Sequence, residues 1–349
     1  MRGYSHSNLV AAPHFPTLRI TMPQRRPIDR QIPRQRFGFC RTTTVIVFGL
    51  VAAFSVSLLS SPVAAQARSK KGAKEEEDPA LKPRPEILTT KDNIKLNSFY
   101  FPSKLGKEGA PVILVHEWKG QGAPYLKLCV SLREAGFAVL VIEYRGHGNS
   151  KKYTDRSGAE KEFNLSTMGR RDVEAIVRYD IEEAKQFLKE ENNAGRLNLN
   201  ALCMIGVEEG AILAGYWAAR DWKIPSVGRM KQGQDVKAMV YVSPEKNLNG
   251  LSMNTPVTDA NLVRLPTMIV AGKASSQGKE SERMGSRLET VKKKLNRGAA
   301  SGFSMLLPAT NLSGPALIND ESTVIPGIVD FLKENVRISK SENPWIERP

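Results

Sequence analysis

Hydrophobic residues along this chain fall into short continuous runs that alternate with stretches of helical periodicity. Within 166–191 the apolar residues recur at intervals of three and four, which predicts an amphipathic helix with its charges on the opposite face. The continuous runs predict buried strands and comprise APVILVHEW, FAVLVIEY, ALCMIG, VKAMVYVS, LPTMIVAG and FSMLLPA. Strands that are apolar throughout need cover on both faces, so the pattern predicts an α/β domain with a mostly parallel sheet flanked by helices.

Turn and cap signals set the limits of this domain. The runs EILTT and IKLNSFYF predict an opening hairpin, and Gly136 is placed to end the helix YLKLCVSLREAG in the left-handed conformation. A closing helix is predicted within ESTVIPGIVDFLKENV. We therefore assign 84–337 to one domain with a sheet of about eight strands.

The first 67 residues differ in composition from the rest of the chain. They hold eight arginines and one aspartate, and a basic stretch precedes the apolar run 42–59. Small residues follow in SSPVAAQA, so 1–67 is predicted to be an export signal cleaved after Ala65 or Ala67, with a periplasmic or secreted product. The alternative is an uncleaved membrane anchor at 42–59.

Two short segments flank the domain. Residues 68–83, RSKKGAKEEEDPALKP, are charged and interrupted by proline without apolar periodicity, which predicts a flexible linker. Residues 338–349 follow the last predicted helix and are assigned to a C-terminal tail. Both segments lie outside the predicted core.

Charge and composition narrow the classes of function. The formal net charge is +15, but much of it lies in the arginine-rich export segment. The remaining lysines alternate with glutamates in stretches such as EEAKQFLKEEN, as is typical of a solvated helix face, so we expect no nucleic-acid partner. Cys129 and Cys203 are expected to be buried thiols, since no spacing supports a disulfide between them. No CxxC and no Cys/His ligand pattern occurs, so we expect no metal and no cofactor.

Three motifs on consecutive predicted strands resemble the α/β-hydrolase fold family, and its dienelactone-hydrolase branch in particular. VILVHEWKGQG is similar to the oxyanion-hole strand and loop. EYRGHGNS is similar to the D-x-R-G-x-G-x-S loop, with Glu143 in the aspartate position. MIGVEEGA stands at the turn that carries the nucleophile in G-x-S-x-G, with Gly206 and Gly210 in place. The short stretch between YVS and LPTMIV leaves no room for a large lid domain.

The resemblance implies a catalytic triad, and the sequence lacks all three of its members. Glu208 stands in the serine position, the acid is expected near Ser275 in a loop without a carboxylate, and the histidine is expected at Leu312 or its neighbours. No histidine follows that turn anywhere in the chain, so a shifted alignment cannot supply one. The four histidines are His6, His14, His116 and His147.

A candidate pocket remains around the former nucleophile turn. His116, Glu117 and Trp118 end one predicted strand, and Glu208 and Glu209 follow its expected neighbour. One hypothesis is an esterase-like hydrolase with an unconventional site at His116, Glu117 and Glu208. The other is that His116 binds backbone within its loop. The Glu208 carboxylate could then fold into the former oxyanion hole and accept its N–H bonds.

The favoured hypothesis is an exported α/β-hydrolase-fold protein that has lost Ser-His-Asp catalysis and acts as a binding or scaffold module. A third hypothesis is a structural envelope protein held in the membrane by 42–59. The sequence leaves the partner open between a small molecule and a protein.

Overall fold

The computed structural model describes residues 78–155, 157–228, 230–296 and 302–349. The predicted export segment 1–67, with the apolar run 42–59, lies outside the described residues. So does most of the predicted linker 68–83. Among the described residues, no helix combines the length and the apolar character needed to span a bilayer.

Eight strands form one sheet, as the pattern predicts. The strands are β1 Arg84–Thr89, β2 Lys95–Phe101, β3 Pro111–Val115, β4 Ala138–Glu143, β5 Leu202–Val207, β6 Val236–Val242, β7 Thr267–Val270 and β8 Phe303–Leu306. Along the sheet they lie in the order β1-β2-β4-β3-β5-β6-β7-β8. β1 pairs antiparallel with β2, and β2 with β4, whereas every other neighbouring pair is parallel.

Helices cover both faces of the sheet. The helices are α1 Leu126–Glu134, α2 Arg170–Ala175, α3 Ile181–Asn193, α4 Glu209–Asp221, α5 Asn254–Thr258, α6 Gly278–Leu295, α7 Gly314–Asp320 and α8 Val324–Asn335. A π-helical turn, Ile176–Asp180, joins α2 to α3. Short 3-10 turns occur at Pro79–Leu81, Gly106–Glu108, Ala123–Tyr125, Leu199–Ala201 and Leu262–Arg264.

Side chains of the central strands alternate between two cores. Ile113 and Val115 pack with the core that includes α2, α3 and α4, while Val112 and Leu114 pack with the core that includes α1 and α8. This alternation is the two-sided burial that apolar strands of a parallel sheet require. Cys129 and Cys203 are both free and buried, and burial raises the pKa of each thiol.

Two helix ends test the sequence analysis. Gly136 follows α1 with φ 98°, as predicted for a left-handed cap. The helix predicted over 166–191 instead begins at Arg170, because Thr167 N–H closes a turn onto the Asn164 carbonyl at 3.0 Å. The predicted start was therefore wrong by about one turn of helix.

The connection between β6 and β7 is short and carries no lid domain. It holds a small hairpin, Asn247–Leu248 with Leu251–Ser252, followed by α5 and one 3-10 turn. A second small hairpin, Lys152–Thr154 with Glu160–Glu162, lies between β4 and α2. Within the described chain, the connections from β4 to α2 and from β6 to β7 therefore hold only these small elements.

Candidate functional site

The turn between β5 and α4 holds Glu208 in a backbone conformation that side chains rarely adopt. Glu208 has φ 49° and ψ −117°, a conformation that costs about 1–3 kcal/mol unless the surroundings enforce it. The Glu208 N–H donates to the Val242 carbonyl at 2.9 Å, and the Ala211 N–H donates to the Glu208 carbonyl at 3.1 Å. The sharp strand–turn–helix geometry is present, and a carboxylate stands at its apex.

Glycines on both sides of Glu208 allow this turn to pack closely. A Cβ on Gly210 would lie 2.3 Å from the backbone oxygens of Val115 and His116. A Cβ on Gly206 would lie 2.5 Å from the Ala211 Cα. Because these obstructing atoms are backbone, only glycine fits at either position. The strand–turn–helix frame is therefore present, with Glu208 at the position that serine takes in G-x-S-x-G.

The Glu208 side chain reaches the loop that follows β8. Its Oε1 accepts a hydrogen bond from Ser313 Oγ at 3.1 Å. The next residue, Gly314, has φ 50°, and a Cβ there would lie 2.3 Å from Glu208 Oε1. Burial and the charges of neighbouring glutamates raise the pKa of Glu208 above its ordinary value, although the Ser313 bond opposes this. The acid is thus held against the loop in which a triad histidine was expected.

Glu209 accepts a hydrogen bond from an N–H group that a hydrolase of this fold would use to bind its substrate. In hydrolases of this fold, an N–H from the loop after β3 forms part of the oxyanion hole. Here the Trp118 N–H of that loop donates to Glu209 Oε2 at 3.1 Å. The sequence left open that Glu208 accepts such a bond. The structure assigns that role to Glu209 instead, while Glu208 faces Ser313.

His116 is buried and held by backbone. It is stacked on Tyr144 with ring centroids 4.5 Å apart. Its Nδ1 lies 2.7 Å from the Glu117 carbonyl oxygen, and because a carbonyl only accepts, this nitrogen carries the proton. His147 makes the same kind of contact with the Arg145 carbonyl at 3.0 Å. Burial lowers the pKa of each histidine to about 4, so both rings are neutral at pH 7.

Glu117 lies in a small enclosure formed by its own loop. The Tyr125 hydroxyl donates a short hydrogen bond to Glu117 Oε2. A Cβ on Gly120 would overlap the Glu117 carboxylate, so glycine makes room for this acid. Burial raises the pKa of Glu117, and the charge of Glu209 adds to the rise, while the tyrosine bond opposes it.

The two remaining triad positions lie in loops that run side by side after β7 and β8. Ser275 Oγ donates to the Gly272 carbonyl at 2.7 Å, which closes a turn. The Leu312 N–H donates to Thr310 Oγ1 at 3.2 Å, and its half-buried side chain packs into the core beside α8. In these loops it is Ser313 that reaches Glu208. No acid or base of a triad stands at Ser275 or Leu312.

Two polar residues that follow β6 also lie at this edge: the sequence favours an ordinary turn role for Ser243 before Pro244, and it did not single out Glu245. Ser243 has φ 46°, is fully buried, and its Oγ accepts a hydrogen bond from the Gly314 N–H at 3.0 Å. Glu245 Oε1 accepts a hydrogen bond from Gln277 Nε2 at 2.7 Å. Carboxyl ends of parallel strands meet at one edge of a sheet. The position of these residues just after a buried strand was therefore a signal that could have found them.

The arrangement gathers Glu117, Glu208, Glu209 and Glu245 at the carboxyl edge of the sheet. A carboxylate can act as a nucleophile, but release of the covalent ester then needs a base that activates water. His116 is a weak base at its lowered pKa and lies fully beneath the surface. In the described part of the chain, no group of three or more His, Cys, Asp or Glu residues is placed to hold a metal ion.

Comparison by sequence finds little that is similar to this chain. No family model matches it. An uncharacterized protein of Mycobacterium tuberculosis is 31% identical over 64 residues. That match covers 18% of this chain and 23% of the relative, so the chain spans about a quarter of the protein it matches.

Comparison by structure finds esterases. An esterase of Pyrococcus furiosus superposes with a TM-score of 0.50 at 16% identity, over 74% of this chain and 92% of the esterase. A fungal esterase of Rhizomucor miehei gives a TM-score of 0.50 at 12% identity, over 75% of this chain and 84% of the other. Identities this low are evidence for the fold alone. With its sheet order and its Glu208 turn, the chain has the α/β-hydrolase fold.

Proposed function

We propose that this protein is an exported, non-catalytic α/β-hydrolase-fold protein that acts as a binding or scaffold module. The observation that carries the proposal is the pairing of Glu208 with Ser313. It fills the place of the nucleophile with an acid and the place of the base with a hydroxyl. The absence of any histidine after His147 supports the same conclusion from the sequence.

Two further contacts support the loss of ester chemistry. The Trp118 N–H is bound by the negative charge of Glu209, which disfavours an oxyanion at that position. His116 donates to backbone through Nδ1, and its pKa, which burial lowers to about 4, makes it a weak base that is poorly suited to activate water. Export rests on the basic and apolar pattern of 1–67 and is tested by N-terminal sequencing of the protein from its native host. Cleavage after Ala65 or Ala67 is expected.

The catalytic part of the proposal is tested with short p-nitrophenyl esters and a fluorophosphonate probe for active serines. Wild type, Glu208→Gln and Glu208→Ser are all expected to remain unlabelled and to hydrolyse ester no faster than buffer. The single serine is not expected to restore activity, because members of a catalytic unit act together and restoring one recovers little. Hydrolysis by wild type that is lost in both Glu208→Gln and His116→Ala would establish instead the esterase-like site at His116, Glu117 and Glu208.

A further inference from the structure

A polar cavity lies at the opposite edge of the sheet from Glu208. Its volume is about 430 Å³, and it opens beside the amino ends of β5 and β6, where Leu199 and Asp235 line it. Its cationic lining consists of Lys91, Lys185, Lys189, Lys231 and Arg348. Its side-chain carboxylates are Glu182 and Asp235, and Pro349 also lines it, where its oxygen accepts a hydrogen bond from Lys189 Nζ at 2.7 Å. We call this cavity the basic cleft.

The buried floor of the basic cleft holds more cations than carboxylates. Lys185 Nζ lies 2.6 Å from Asp221 Oδ1 and 3.0 Å from Asp235 Oδ2. Lys231 Nζ lies 3.0 Å from Asp235 Oδ1, and the Arg348 guanidinium also binds Asp235. Three cations therefore share two aspartates that are fully shielded from solvent. Within the described chain, the buried Nε of Arg348 has no hydrogen-bond partner.

The surplus of positive charge extends beyond the ion pairs. Burial and the nearby Arg348 guanidinium lower the pKa of Lys231, although Asp235 opposes this. Burial and the charge of Lys231 lower the pKa of Lys237 to about 8. Lys91 and Lys189 add two further ammonium groups at the more exposed part of the cleft. An anion that enters the cleft therefore meets cations whose positive charge is not fully neutralised by the neighbouring carboxylates.

The C-terminal segment 343–348, which we call the strap, brings Arg348 into the lining of the basic cleft. Asparagine side chains hold its backbone: Asn198 Nδ2 donates to the Asn343 carbonyl at 2.9 Å, and Asn200 Nδ2 donates to the Pro344 carbonyl at 3.0 Å. Asn193 both donates to the Arg348 carbonyl at 2.7 Å and accepts from the Arg348 N–H at 2.9 Å. The docked strap thereby places Arg348 over Asp235.

We propose that the basic cleft binds a small, multiply charged oxyanion of the phosphate or pyrophosphate class, and that the docked strap supplies Arg348 to this site. The volume admits a small molecule and excludes a nucleic-acid duplex. Lys91 and Lys189 meet the anion at the mouth, where Lys189 Nζ exchanges its bond to the Pro349 oxygen for one to the anion. The buried Nε of Arg348 offers a further donor without a partner. The site lies away from Glu208, so this proposal can be tested independently of the proposed loss of ester chemistry.

The test uses the full-length protein and sodium pyrophosphate, titrated calorimetrically at low ionic strength with sodium chloride at matched ionic strength as the blank. Saturable binding by wild type is expected. The double variant Lys91→Gln/Lys189→Gln is expected to weaken it at least tenfold. Lys127→Gln/Lys333→Gln removes the same charge from exposed sites on α1 and α8 and is expected to bind as wild type does.

Arg348→Met tests the contribution of the strap apart from that of the surface lysines. It is expected to weaken pyrophosphate binding as well, whereas Arg337→Met, an exposed residue that precedes the strap, leaves it unchanged. If Arg348→Met fails to fold, the Lys91→Gln/Lys189→Gln variant alone decides the test. That variant is expected to fold, because neither Lys91 nor Lys189 is buried. Absence of saturable heat up to millimolar pyrophosphate overturns the proposal. Equal weakening in the Lys127/Lys333 control overturns it too, because binding would then follow net charge alone.

Discussion

The two edges of the sheet treat buried charge in opposite ways. At the carboxyl edge, Glu117, Glu208, Glu209 and Glu245 are bound by hydroxyl, backbone N–H or amide groups, and none takes part in an ion pair with another described residue. At the amino edge, Asp221 and Asp235 are fully buried and bound by lysine and arginine. Carboxylates therefore lack a cationic partner at the carboxyl edge and are held in ion pairs at the amino edge.

Glu117 and Glu208 at one edge and Asp235 at the other are expected to affect folding stability in opposite ways. Raised pKa values at Glu117 and Glu208 mean that their charged forms are disfavoured in the folded protein. At the amino edge the two aspartates differ: burial raises the pKa of Asp221 despite the charge of Lys185. For Asp235, the charges of Lys185, Arg348 and Lys231 outweigh burial and hold the pKa below its ordinary value. The charged forms of Glu117 and Glu208 therefore cost stability, and acids with raised pKa values gathered at one edge mark it as a candidate functional site.

The largest expected effect comes from breaking the ion pairs of the amino edge. Asp235→Asn leaves three cations without their shared carboxylate, and removal of one partner from a buried network costs about 3–5 kcal/mol. Urea unfolding followed by circular dichroism measures this loss. Because the folded pKa of Asp235 is depressed, the advantage of wild type should hold above the ordinary value of 3.8 and shrink on further acidification.

The matched control for this change is Asp330→Asn, at an exposed position of α8. It is expected to alter the free energy of unfolding by less than about 0.5 kcal/mol. A loss at Asp235 no larger than that of the control would mean that the buried pairs contribute nothing net. The contrast between the two edges would then be lost.

A smaller effect is expected from closing the glycine gap at the carboxyl edge. Gly210 lies in the first turn of α4, where helix propensity alone favours alanine by about 0.8–1.0 kcal/mol. Its Cβ would press against two backbone oxygens, so Gly210→Ala is expected to destabilise by about 1–3 kcal/mol. Thermal unfolding gives the sign. Gly169→Ala, where nothing lies within 4 Å of the added atom, is the control, and a stabilised Gly210→Ala protein would contradict the close packing.

The smallest effect has the opposite sign and concerns the uncompensated acids. A carboxyl whose pKa is raised by folding contributes stability below its unfolded pKa and loses it as pH rises through the folded pKa. Glu208→Gln should therefore stabilise the protein at pH 8 by no more than about 1 kcal/mol, since the carboxylate is partly exposed and screened. The gain should vanish near pH 4. Melting temperatures across this range, compared with those of exposed Glu282→Gln, measure it, and a destabilised variant at pH 8 would reverse the assignment.

Much of the site's frame was predictable from residue order. The strand–turn–helix at Glu208 follows from an apolar run, two glycines and a helical run, and the structure confirms it. The contact of Glu208 with Ser313 was not predictable, because it depends on how two loops more than one hundred residues apart meet. The same holds for the choice of Glu209 over Glu208 as the acceptor of the Trp118 N–H. Two adjacent glutamates look alike in sequence and differ only in where the turn points them.

The C-terminal strap shows the same limit at the other edge. The sequence assigned 338–349 to a tail, since the segment has no periodic pattern that favours a helix or a strand. Its position depends on asparagine side chains of another segment that bind its backbone, and such bonds leave no pattern in the strap itself. The sequence alone gives no sign that Arg348 differs from a surface cation. In the structure it is buried against Asp235.

The sequence by itself determined the class of fold, the covered sheet and the sharp turn at Glu208, because each depends on local periodicity or on glycine. Tertiary structure decided which acid binds which donor, and which charges are paired. Those outcomes depend on distances of a few ångströms between segments far apart in the chain. Hydrogen bonds and ion pairs are made or lost over just that range, and periodicity carries no information about it.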